Sequence, residues 1–99
     1  MHVLALRVSL YLPQVRSLKA KRALVKPVVE GARRRFAVAA AELADQDSWH
    51  NAELGFVTVT GSVRHADEII DEVERFVWSF PEVQVVRTTR SWLEEEEHR

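Results

Sequence analysis

Eight cations crowd into one short stretch of this chain: Arg16, Lys19, Lys21, Arg22, Lys26, Arg33, Arg34 and Arg35, with Glu30 the single acid among them. Side chains of this kind neutralise phosphates and release their counterions. A helix carrying them along one face could lie on an RNA backbone with little base specificity. The segment between Gln14 and Phe36 is net +7 and the remainder −8, an asymmetry hidden behind an overall charge of −1. Lys19, Lys21, Arg22, Lys26, Arg33 and Arg34 are the candidate phosphate contacts. The plainer reading is a solvated helix face whose charge is met by a neighbouring acidic helix, with Arg33, Arg34 and Arg35 complementing the helix dipole.

A second cluster, Asp45, Gln46, Asp47, Trp49, His50 and Glu53, gathers carboxylates, a histidine and an aromatic. A metal or acid–base site needs ligands converging from fixed directions, and a second histidine at a defined spacing is missing. A hairpin turn explains the same residues, with Asp and Asn side chains bonding backbone amides and Trp49 packed over a sheet edge. His2, His65 and His98 are scattered, and no serine sits in a glycine-flanked elbow. Gly31, Gly55 and Gly61 form no phosphate loop, and without cysteine there are no disulfides, thiolate metal sites or thiol catalysis. A non-catalytic binding module with no metal or cofactor is the expectation; a hydrolase or metal enzyme using Asp45, Asp47 and His50 is a third reading.

These residues must be positioned by one small domain, since 99 residues at 46% hydrophobic content suffice for a single modest core. From Val3 to Leu12 the even positions are uniformly apolar, the period of a half-buried strand. Pro13 stops it and Ser17 is a good N-cap for a helix running to Arg35. Leu18, Val25, Val28, Val29, Ala32 and Phe36 make its buried stripe, with Lys19, Arg22, Lys26 and Arg33 on an adjoining solvated face. Pro27 is expected to kink or break this helix. Phe36–Ala44 and Ala52–Thr60 read as a hairpin joined by a longish loop. Arg64–Phe80 reads as a second helix, its outer face acidic through Asp67, Glu68, Asp71, Glu72 and Glu74, and Val83–Trp92 as a last strand.

The order βαββαβ, with right-handed crossovers, packs two helices on one face of a four-stranded antiparallel sheet in an α+β, ferredoxin-like sandwich. The domain spans 1–93, and 94–99 form an acidic tail expected to fray. The N-terminal apolar run is broken by Arg7 and Ser9, too short for a signal core or membrane span, so a cytoplasmic protein without membrane association is expected.

The run Ser17-Leu18-Lys19-Ala20-Lys21-Arg22, then Val25-Lys26, Arg35-Phe36, Gln46-Asp47-Ser48-Trp49 and Leu54-Gly55, resembles the bacterial YlxP-like family, a domain of unknown function. The likeness spans the chain from the first strand to Trp92, and departs from the family pattern at Pro27 and in the acidic tail. It implies a ferredoxin-like fold and no established activity. Because such proteins are often encoded beside translation and ribosome-maturation factors, it also implies RNA or a ribosomal particle as partner, an argument from association.

The sheet face away from the helices is the other candidate surface. Alternation assigns it Arg7, Ser9, Tyr11, Phe56 and Thr58, with either Thr88 and Arg90 or Arg87 and Thr89 from the last strand. Aromatics among basic residues on such a face could stack bases, but the signature of RNA-recognition modules is absent around Gly55-Phe56-Val57-Thr58. Self-association through Arg7, Tyr11, Phe56 and Thr58 is favoured, because a small domain gains core by pairing. The functional alternative to RNA binding is therefore a homo-oligomeric interaction or regulatory domain that binds no nucleic acid.

Overall fold

The structure is a computed structural model, and it describes residues 1–44 and 48–93. Six elements follow the order read from the sequence: β1 (His2–Tyr11), α1 (Leu18–Arg35), β2 (Ala39–Ala44), β3 (Asn51–Thr60), α2 (Val63–Trp78) and β4 (Gln84–Leu93). The strands form one antiparallel sheet in the order β2-β3-β1-β4, the ferredoxin-like arrangement. Asp45, Gln46, Asp47 and the acidic tail lie outside the described residues.

Alternation in β1 buries Leu4, Leu6, Val8 and Leu10. Directly paired residues point to the same side of a sheet, so register carries this face into β3. Leu10 pairs with Ala52, Val8 with Leu54, Leu6 with Phe56 and Leu4 with Thr58, and all four β3 residues are buried. The helices cover this side, α1 through Val25, Val28, Val29 and Ala32 and α2 through Ala66, Ile70, Val73 and Val77.

Each helix begins at a serine cap. Ser17 Oγ accepts from the Ala20 amide at 3.0 Å, and Ser62 Oγ from the His65 amide at 3.3 Å. The expected break does not occur: α1 runs as one continuous helix through Pro27. The proline deprives only the Ala23 carbonyl of its helical partner, and both residues are exposed, where water can serve. The helices approach closely where Gly31 meets Phe76; a Cβ at Gly31 would lie 2.6 Å from Phe76 Cζ. Phe76 is held edge-on by Phe36 and Phe80, and the Arg35 guanidinium lies 5.0 Å from its ring centroid.

Candidate functional site

The α1 cations divide into three groups. Lys21 is the first correction to the sequence reading. It is 1% exposed, with Nζ donating to the Ser48 carbonyl at 2.7 Å and lying 3.3 Å from Glu42 Oε2. It ties the helix to β2 and to the segment leading into β3, and cannot reach a phosphate. Its helical phase carried the signal: Val25, Val28 and Ala32 follow it at i+4, i+7 and i+11, so Lys21 belongs to the buried stripe.

Arg33 and Arg35 are anchored but not buried. Arg33 Nε donates to the Ala40 carbonyl at 3.0 Å, and its Nη2 donates to the same oxygen. This fastens the end of α1 to β2, a strand at the sheet edge, and satisfies a backbone acceptor there. The guanidinium is thus partly committed to the fold, a second correction to its assignment as a free phosphate contact. Arg35 is engaged with Phe76 as above.

Arg16, Lys19, Arg22, Lys26 and Arg34 remain. All are exposed and none has an ion-pair partner among the described residues. A groove of about 510 Å³ runs between α1 and β2, lined by Arg22, Lys26 and Arg33 with Glu30 and Glu42 beside them.

The acids of α2 do not neutralise this stripe. Asp67, Asp71 and Glu74, spaced i, i+4, i+7, converge on Arg90 of β4, at 3.5, 2.7 and 3.2 Å respectively. Burial disfavours the Arg90 charge, but hydrogen bonds with Asp71 and Glu74 and their negative charge outweigh it and hold its pKa above the ordinary value. The first turn of α2 contains no acid, so these carboxylates serve the sheet more than the helix dipole.

On the open face, Phe56 and Thr58 require a third correction. They are 0% and 1% exposed on the helix side, with Thr58 Oγ1 donating to the Ala37 carbonyl at 2.8 Å. Arg7, Ser9 and Tyr11 do face outward, and β4 contributes Arg87 and Thr89, paired with Ser9 and Arg7. Register orders the face in cross-strand rows: Leu93, Val3 and Val59; then Ser91, Ala5, Val57 and Ala39; then Thr89, Arg7, Gly55 and Ala41; then Arg87, Ser9 and Glu53. Its apolar residues Ala39, Ala41, Val57 and Val59 were missed because β3 is apolar on both sides and its phase cannot be read alone. The pairing of Phe56 with Leu6 decides it.

Glu53 belongs to this face and not to the loop chemistry suggested for it. Its carboxylate accepts from Ser9 Oγ at 2.6 Å and from Arg7 Nε at 3.3 Å. His50 is exposed, its ring 6.3 Å from that of Tyr11, and Trp49 is 48% exposed. Among the described residues no group of three histidines or acids could hold a metal.

Residues 3–90 match the family described as protein of unknown function DUF503. The chain belongs to the DUF503 family. It is similar to the uncharacterized protein YlxP of Bacillus subtilis (strain 168), 32% identical over 77 residues that cover 78% of this chain and 84% of that protein. The DUF503 match takes in all of α1 and α2, so the basic stripe and the Arg90 cluster both lie within the family's span. No helix among the described residues is long and apolar enough to cross a membrane.

Proposed function

We propose that this DUF503 domain is a non-catalytic RNA-binding module, with ribosomal RNA as the class of partner, that docks through the outer face of α1. One observation carries the reading: three of the five acids of α2, Asp67, Asp71 and Glu74, are taken up by Arg90, while Lys19, Arg22, Lys26 and Arg34 have no ion-pair partner among the described residues. The plainer account, a solvated face met by the charge of the acidic helix, finds no ion pair between α1 and α2 among the described residues. Lys19, Arg22 and Lys26 form one row spanning two helical turns, roughly 10 Å, and Arg34 stands to one side of it nearer the C-terminal end. Such a rigid line of cations suits backbone contact along structured RNA, which proteins recognise largely by shape and phosphate position.

The test is binding of fluorescently labelled transcripts of structured ribosomal RNA. Lys19→Glu, Arg22→Glu and Lys26→Glu together should lower affinity at least ~10-fold, with circular dichroism and Tm unchanged. Binding unaffected by the triple reversal, or absent at low salt, would overturn the reading.

A further inference from the structure

The open sheet face carries an arrangement that the α1 stripe does not use. Its rows grade from apolar (Leu93, Val3, Val59) to charged (Arg87, Ser9, Glu53), and the small side chains of Ala5, Ala39 and Ala41 line a shallow hollow of about 400 Å³ beside Leu43, whose side chain lies over Gly55. Val57 and Val59 stand 39% and 61% exposed beside it.

We infer that this face binds a second copy of the chain as a two-fold sandwich, with β1 of each copy lying over β3 of its partner. A two-fold axis along the strands, between β1 and β3, preserves the row order and exchanges the two strands. Val3 then meets Val59, Ala5 meets Val57, Arg7 meets Gly55, and Ser9 meets Glu53. Apolar rows cover apolar rows. The long Arg7 side chain runs into the hollow beside the alanines, past the Leu43 side chain that covers Gly55, within reach of the partner's own Arg7-bonded Glu53 row, so the charges are self-complementary. An isologous interface demands this property, because each patch must match itself.

Charge and area both favour a copy of the same chain. The face holds Arg7 and Arg87 against Glu53, close to neutral, whereas the α1 face would repel its own duplicate. Three ten-residue strands and the six-residue β2, at about 3.3 Å per residue and about 4.8 Å apart, give roughly 570 Å² in projection. Side-chain relief brings this near the ~800 Å² per partner of a standard stable interface. Aligned sheet packing tolerates the offset of about 30° that strand twist introduces.

Analytical ultracentrifugation of the whole chain between about 1 and 100 µM tests this. The wild type should sediment as a dimer. Val57→Lys, at an exposed position, should raise the dimer dissociation constant at least ~100-fold while leaving Tm and RNA affinity per chain intact. Arg7→Glu alone should also dissociate the dimer, and Arg7→Glu with Glu53→Arg should restore it. A wild type monomeric at 100 µM overturns the inference, as does a dimer indifferent to Val57→Lys or a charge swap that fails to rescue. Monomeric chain that holds RNA or another protein on this face would overturn it too.

Discussion

Lys19 and Lys21 stand two positions apart on one helix and do opposite work, because 100° per residue turns one to solvent and the other under β2. Removing the Lys21 ammonium leaves Glu42 beside a buried gap. Lys21→Ala should therefore cost about 2–4 kcal/mol, a fall in Tm on the order of 10–20 °C, whereas Lys19→Ala should change stability by less than about 0.5 kcal/mol. Thermal unfolding of the two variants checks the contrast. Gly31 offers another contest of magnitudes. Alanine gains roughly 1 kcal/mol of helix propensity, yet its Cβ would stand 2.6 Å from a Phe76 ring fixed by Phe36 and Phe80. Overpacking of this kind costs about 1–3 kcal/mol, so Gly31→Ala should lower Tm; a rise would mean the ring yields easily.

Among the elements, α2 and β4 are joined by the Arg90 cluster at the sheet edge. Arg90→Ala leaves Asp67, Asp71 and Glu74 on one stripe without their shared cation. Those pairs are partly solvated, so the expected loss is modest, about 1–2 kcal/mol, and smaller at high salt. Urea unfolding at two ionic strengths reads it. Much at this scale was legible in the sequence. The even apolar positions of β1, the Ser17 cap and the stripe of α2 each predict the element found, because burial on one side imposes a period on one strand or helix. What was not legible depends on partners distant in the chain. The stripe Asp67, Asp71 and Glu74 is visible by spacing, but its binding to Arg90 follows from β4 lying beside β1. Phe56 and Thr58 looked open only until register set them opposite Leu6 and Leu4. Phe56→Ala should accordingly cost about 3–5 kcal/mol as a core cavity and is useless as a probe of the open face.

At the scale of the molecule the helices occupy one side of the sheet and leave two surfaces of different character. The outer face of α1 holds unneutralised cations; the open sheet face is near neutral and graded from apolar to charged. A sandwich of two sheets would direct the two α1 faces outward, on opposite sides of the dimer, so the surfaces do not compete. The basic stripe was legible from composition, and the helical phase of Lys21 already set it apart, but the anchoring of Arg33 was not legible, since it depends on the Ala40 carbonyl of another element. The most direct test of the central claim is the salt dependence of binding to a structured ribosomal RNA transcript. A face using Lys19, Arg22, Lys26 and Arg34 should give a slope of log K against log salt between about −2 and −4, falling toward zero when the first three are reversed to glutamate. A slope near zero for the wild type, or one the triple variant leaves unchanged, would contradict it.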